Sequence, residues 1–281
     1  MAVTSEHPVG LVRAMGRWDL IALTVNSIIG SGIFFLPATI AGLVGPFGPY
    51  AYIIAAVVTL TFILSFAEVS SRFDTGGGPY RYAYHAFGPF AGFQVGWLVY
   101  ITRIAATAAS CSLFVSYLAD FLPAAGQGWT KIVTLLILTG TLALINVRGV
   151  KYGALTIDLI TVAKVLPLLL IIAGGLFKID AANLASGTLP LYGNLMRSLF
   201  LLAFAFGGFE VMTIPSGETI NPRFHVPRAL ITGTFIVAAI YFMIQLTASG
   251  ALPSLSSEPR PRVRLPRRSG SSARTFWALR A

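Results

Sequence analysis

Residues 28–34 read Ile-Ile-Gly-Ser-Gly-Ile-Phe and lie in the middle of an apolar stretch at 20–43. This stretch is long enough to cross a bilayer, which takes about 20 residues of helix. Glycine costs a helix about 1 kcal/mol relative to alanine, so Gly30 and Gly32 on either side of Ser31 favour an interruption. Unwound backbone at bilayer depth is tolerated only inside protein or beside an aqueous cavity. The segment therefore predicts a ligand site at a broken helix; the alternative is a close helix contact between small residues.

The rest of the chain has the composition of a membrane protein. Of 281 residues, 56% are hydrophobic and 11% are charged, whereas soluble domains carry about 25% charged residues. Seven apolar stretches are long enough to span a membrane, at residues 20–43, 48–70, 90–119, 130–147, 154–177, 195–215 and 229–251. The sequence thus predicts an all-α integral membrane protein, with an N-terminal segment at 1–19 and a membrane domain at 20–251.

The net charge of +10 is concentrated in the last thirty residues, which contribute +6. This Arg/Pro/Ser-rich tail, 252–281, is predicted to be disordered. One hypothesis is that it is out of frame with the preceding sequence, and the alternative is a native disordered tail. Four excess charges on the remainder suit membrane loops rather than nucleic-acid binding. With the N-terminus inside, eight loop Lys and Arg face the cytoplasm against three outside, which predicts a cytoplasmic N-terminus in the cell membrane.

A second apolar stretch is interrupted in the same way as the first. Residues 204–210 read Phe-Ala-Phe-Gly-Gly-Phe-Glu, five helices further along the chain. Two broken helices at this separation indicate a transporter built from inverted repeats. Amides at the start of a half-helix attract an anion such as a carboxylate, and carbonyls freed at both breaks can accept hydrogen bonds from an ammonium group. A zwitterionic ligand would therefore need few charged side chains.

Four segments together resemble the amino acid–polyamine–organocation (APC) superfamily. They are the first-helix signature Gly30–Phe34, the loop Glu68–Tyr80 with its Thr-Gly-Gly-Gly-Pro-Tyr ending, the sixth-helix segment Phe206–Glu210, and the loop Glu218–Arg223 followed by Pro-Arg-Ala at 227–229. The resemblance covers roughly residues 15–250. It implies a leucine-transporter-type inverted-repeat helical bundle, of which this chain holds the first seven or so helices, and a secondary amino-acid permease.

The resemblance also implies roles for residues at the two breaks. Amides of Ser31 and Gly32, next to Gly30, would bind the substrate carboxylate. Carbonyls of Ile28, Phe204 and Gly207, next to Gly208, would face the amino group, and the Phe204 ring would close over the substrate.

Ionisable residues within spans are functional candidates because they are costly there. Lys164 lies midway along the fifth span, where some members of the family have a lysine in place of a bound sodium ion. It is therefore a candidate proton-coupling residue, and the alternative is a lysine that pairs permanently with an acid. Arg103 is expected to pair with an acid, while Glu210 and Glu68 are expected to anchor helices, with a gating role open for Glu210.

The resulting hypothesis is secondary active transport of an amino acid by alternating access, coupled to protons or working by exchange. It requires the lipid bilayer and no cofactor or metal, and it leaves the oligomeric state open. The main alternative is a transport-inactive truncated fragment of such a permease. A channel is disfavoured because the sequence shows no filter loop or ring of charges. An enzyme is disfavoured because the sequence shows no cluster of catalytic groups.

Overall fold

The protein is described by a computed structural model covering residues 13–147, 150–185 and 189–251, and side chains 146, 150–162 and 185 lie outside that description. All regular structure in these residues is helical, apart from one isolated bridge between Met15 and Thr219. The α-helices are α1 (Arg17–Ile28), α2 (Gly32–Val44), α3 (Gly48–Ser70), α4 (Pro79–Phe87), α5 (Pro89–Phe121), α6 (Gly128–Val147), α7 (Val150–Leu176), α8 (Ala181–Ala185), α9 (Tyr192–Ala205) and α10 (Pro222–Ala251). Three 3₁₀ segments, Gly45–Phe47, Pro123–Gly126 and Phe209–Glu218, complete the described elements.

Each of the seven predicted apolar stretches contains helix, which confirms the all-α membrane class. By length and hydropathy, the described residues provide five candidate spans: Gly32–Ser70, Pro89–Phe121, Gly128–Ile145, Tyr192–Glu218 and Pro222–Ala251. This count is lower than seven for two reasons. First, the first predicted span is divided, and its second half, α2, continues into α3 as one candidate span. Second, the described apolar part of α7, Ala163–Leu176, is shorter than the length required of a candidate span.

The core is built around α10, which packs along α3 and α1 and also contacts α7. One buried cluster joins α2, α3, α9 and α10, with Leu168 contributed by α7. A second cluster joins α1, α3, the 3₁₀ segment Phe209–Glu218 and α10. Both broken stretches therefore lie against the same central helices.

Large apolar side chains are exposed along α5, α6 and α7. In water such a surface would be costly, but hydrocarbon requires no polar covering. The exposed faces therefore agree with a membrane environment.

Candidate functional site

The first apolar stretch is broken where the sequence predicts it. Helix α1 ends at Ile28, residues 29–31 are not helical, and α2 begins at Gly32. The Gly30 amide donates to the Ile28 carbonyl at 2.8 Å. Within the described part of the chain, the amides of Ser31 and Gly32 have no hydrogen-bond acceptor. Two unsatisfied donors at the start of a helix favour an anion.

The second stretch is broken at its glycines. Helix α9 ends at Ala205, and the chain continues through Gly208, whose φ of +109° is a conformation that favours glycine, into the 3₁₀ segment. The Phe204 carbonyl accepts a hydrogen bond from the Gly207 amide at 3.2 Å. Both predicted interruptions are thus confirmed.

The two breaks are in direct contact. A Cβ added at Gly208 would collide with the Ser27 carbonyl oxygen and lie 3.1 Å from the carbon of that carbonyl. A Cβ added at Gly32 would lie 3.3 Å from the Cα of Ala205. Glycine at both positions therefore lets the end of α1 approach the break after α9, and lets the start of α2 approach α9.

Tyr241 of α10 links the ends of the two broken helices. Its hydroxyl lies 3.1 Å from the Ile28 carbonyl oxygen and 3.2 Å from that of Ala205, and its side chain is fully buried. Both carbonyls lie at helix ends, where the ordinary helical amide partner is missing. The hydroxyl has one proton to donate to these two carbonyls, and the Ile28 carbonyl also accepts the Gly30 amide.

Lys164 contacts the same interruption from α7. Its ammonium donates to the carbonyls of Asn26 and Ile29, both at 2.8 Å. The predicted in-span lysine is therefore placed at the carbonyl end of α1. Among the described residues, both of its hydrogen bonds are to backbone oxygens, and no acid pairs with it.

A cavity of about 350 Å³ adjoins both breaks. It is lined by Ser31, Phe35 and Phe204, and on the α5 side by Ala109, Ser112, Leu113 and Ser116. None of these described lining residues is charged. The Ser31 hydroxyl also accepts a hydrogen bond from the Ser110 hydroxyl at 3.2 Å. The volume lies at the low end of the roughly 300–1,000 Å³ of small-molecule sites, which suits a small, neutral ligand.

The predicted substrate residues differ in their exposure. Ser31 and Phe204 line the cavity, with half of the Phe204 side chain exposed. Ile28, Gly32 and Gly208 are buried and do not line it; Gly30 is exposed and Gly207 is half-buried. A larger cavity of about 560 Å³ lies between α5 and α6 and touches neither break.

The predicted ionic residues form two separate pairs. Arg103 of α5 forms an ion pair with Glu210, whose other carboxylate oxygen accepts the Gly208 amide at 3.0 Å. This pair connects α5 to the second break. Glu68, in the last turn of α3, instead pairs at 2.8 Å with Arg72, which lies two residues beyond the end of that helix. Both side chains of this pair are largely exposed. Because the partner is only four residues away, the pair does not join Glu68 to another helix.

Comparison with known proteins places this geometry in a family. The family model described as amino acid permease matches residues 15–259, which include both breaks, Lys164 and Tyr241. This chain belongs to the amino acid permease family. Membership confirms the resemblance to the APC superfamily and the all-α membrane fold expected from it.

Curated members of the amino acid permease family are similar over most of this chain. The serine/threonine exchanger SteT of Bacillus subtilis is 30% identical over 242 residues, which cover 84% of this chain and 54% of SteT. The branched-chain amino acid permease BcaP of Bacillus subtilis is 26% identical over 269 residues, or 90% of this chain and 58% of BcaP. The chloroplastic cationic amino acid transporter 9 of Arabidopsis thaliana is 29% identical over 280 residues, which cover 92% of this chain and 49% of that transporter. The chain spans about half the length of the curated relatives it matches.

Sequence analysis missed two parts of the site. Tyr241 was not singled out because aromatic residues are common in apolar helices. Its phenol hydroxyl could have been noticed, since a hydroxyl in the middle of a span needs a hydrogen-bond partner. The hydroxyl groups of Ser112 and Ser116 line the cavity one turn apart on α5, and their four-residue separation could have indicated a polar face.

Proposed function

We propose that this chain binds the α-ammonium and α-carboxylate groups of an amino acid between its two broken helices. The observation that carries the proposal is the contact between the breaks, beside a cavity, with the amides of Ser31 and Gly32 unsatisfied. In this arrangement the two amides bind the carboxylate. The names of the relatives, which refer to amino-acid exchange and transport, support the proposal.

The ammonium group is assigned to carbonyl oxygens at the breaks, which can each accept two hydrogen bonds. The Phe204 carbonyl accepts one, from Gly207, and so has one lone pair left. The Ile28 carbonyl already accepts the Gly30 amide and lies beside the Tyr241 hydroxyl. The Phe204 carbonyl therefore has more acceptor capacity left for the substrate ammonium than the Ile28 carbonyl, and the Gly207 carbonyl is proposed as a second acceptor.

The substrate class that fits is a small neutral amino acid. The cavity lining combines serine hydroxyls with Phe35, Phe204 and Leu113, and it contains no carboxylate that would favour a cationic side chain. The Phe204 ring is half exposed at the cavity, which supports the proposal that it closes over the bound substrate.

The transport activity proposed for the whole protein is secondary transport by alternating access in the cell membrane, with the N-terminus in the cytoplasm. The broken helices would move against the helices that hold them, as in other transporters with discontinuous helices at the midplane site. Lys164 is the proposed proton-coupling residue, because loss of its proton would weaken its two hydrogen bonds to the carbonyls of Asn26 and Ile29 and so loosen the first break.

The test is uptake of radiolabelled amino acids into proteoliposomes, with and without an inward proton gradient, preceded by equilibrium binding. Binding is measured separately because the chain spans about half the length of its relatives. We expect binding of a neutral amino acid and, where uptake occurs, stimulation by the gradient that Lys164→Ala abolishes. Lys131→Ala, which removes a lysine from the first turn of α6, is the matched control and should retain stimulation.

The outcomes separate the parts of the proposal. Gradient-stimulated uptake that persists in Lys164→Ala would refute the coupling role. Binding without uptake would favour the alternative of a transport-inactive fragment, and no binding of any amino acid would refute the site itself.

A further inference from the structure

Among the described residues, six arginines lie at the end of the molecule where α1 and α10 begin. The two helix starts are tied together by backbone hydrogen bonds: the amides of Ala14 and Met15 each donate to the Glu218 carbonyl at 3.0 Å, and the Ile220 amide donates to the Met15 carbonyl at 3.0 Å. The loop after α3 joins the same end, since the Gly77 amide donates to the Ile214 carbonyl at 3.1 Å. The arginines are Arg13, Arg17, Arg72, Arg81, Arg223 and Arg228.

Four of the six are held by oxygen acceptors of the protein itself. Arg13 donates to the Asp74 carbonyl at 3.3 Å, and Arg223 pairs with the Asp74 carboxylate at 3.2 Å. Arg72 pairs with Glu68, and Arg81 donates to the Thr75 hydroxyl at 3.1 Å. Their charges are thus at least partly committed within the fold.

The other two, Arg17 and Arg228, are each held by an aromatic ring. The Arg17 guanidinium lies 5.4 Å from the ring centroid of Trp18, and that of Arg228 lies 3.5 Å from the ring centroid of Phe224. Neither has a carboxylate partner within the described part of the chain. A ring covers only the face of a guanidinium, so the N–H donors in its plane remain available to a further acceptor.

Both rings are exposed, and both lie at the start of a helix, where the membrane interface is expected. Trp18 is 73% exposed at the start of α1, and Phe224 is 56% exposed at the start of α10. Phe224 and Arg228 lie on the same side of α10 as exposed Phe235, which is about 10 Å beyond Arg228 along the helix. The Arg228 side chain therefore reaches back from an apolar face toward the helix start, as arginines do near the membrane surface.

We propose that these two arginine–aromatic pairs bind the headgroups of anionic phospholipids in the leaflet at this end of the molecule. Guanidinium groups bind phosphate with two parallel hydrogen bonds, and exposed Trp and Phe rings pack beside the upper acyl chains. The inference rests on charge and exposure at the helix starts and does not depend on the proposed transport activity. If the N-terminus is cytoplasmic, the leaflet is the one in which anionic lipids attract basic residues.

The test is native mass spectrometry of the full chain in neutral detergent, titrated with phosphatidylglycerol and, separately, with phosphatidylcholine. An arginine near the membrane surface contributes about fivefold to anionic-lipid binding. We therefore expect the Arg17→Gln/Arg228→Gln variant to bind phosphatidylglycerol about 25-fold more weakly, with phosphatidylcholine binding unchanged. The control, Lys131→Gln/Lys178→Gln, removes the same charge from elsewhere on the chain and should bind as the wild type does.

Equal phosphatidylglycerol binding by the arginine variant and the wild type would overturn the proposal. An equal loss in the lysine control would also overturn it, because binding would then follow total charge; the arginine-rich residues 252–281 are the same in all variants. If the double variant is not monodisperse, Arg228→Gln is compared with Lys131→Gln, and about a fivefold difference is expected.

Discussion

Gly208→Ala tests whether the two breaks need their close contact. At φ +109° an alanine is strained by about 1–3 kcal/mol. Its Cβ would also meet the Ser27 carbonyl, which is backbone and cannot rotate away. Overpacking of this kind costs about a further 1–3 kcal/mol. We therefore expect the free energy of unfolding to fall by about 2–6 kcal/mol. If the protein relieves the strain by moving the two breaks apart, the geometry of the site changes instead.

The assay combines thermal unfolding of the purified protein in detergent with equilibrium binding of a labelled amino acid. We expect Gly208→Ala to lower the unfolding temperature and, in protein that remains folded, to weaken binding by at least tenfold. Gly193→Ala is the matched control: Gly193 lies inside α9 with nothing within 4 Å of an added Cβ, so alanine should be neutral or stabilise by about 0.5–1 kcal/mol. A Gly208→Ala protein that melts and binds as the wild type does would refute the contact between the breaks.

Two further substitutions test the links that hold the breaks in place. Tyr241→Phe removes the hydroxyl between two helix-end carbonyls and should destabilise the protein by about 1–3 kcal/mol; thermal unfolding checks this, and an unchanged melting temperature would argue against the bridge. Arg103→Gln leaves half-buried Glu210 without its cation. It should lower the free energy of unfolding by about 1–3 kcal/mol, which lies between the losses found when surface and buried ion pairs are broken. Arg72→Gln, in an exposed pair, should cost less than about 1 kcal/mol, and equal effects of the two arginine substitutions would contradict the structural role given to Arg103.

Much of the site can be predicted from local sequence because the breaks have local causes. Gly30 and Gly32, like Gly207 and Gly208, weaken a helix wherever it packs. The apolar length of each stretch places the breaks at bilayer depth. The transporter pattern predicts that groups at both breaks bind one ligand, but the atoms of the two breaks that touch depend on how α1 and α9 are oriented, which no local pattern specifies.

The partners of single side chains were harder to predict. Lys164 stands out in an apolar helix, but its acceptors are backbone oxygens 135 and 138 residues away, and every residue carries such an oxygen. Tyr241 was missed for the same reason. Glu68 shows the opposite case, because its four-residue spacing from Arg72 is a sufficient local signal for the pair that the structure shows.

The most direct test of the account is whether the site recognises both ends of an amino acid. The neutral amino acid that binds most tightly to the purified chain is displaced with its amide, which lacks the carboxylate, and with the corresponding acid that lacks the amino group. Because each charge-assisted hydrogen bond contributes about 1.5–3 kcal/mol, two lost bonds predict that both analogues compete at least about 100-fold more weakly. Displacement by either analogue at the concentration of the amino acid itself would contradict the assignment of carboxylate to amides and ammonium to carbonyls.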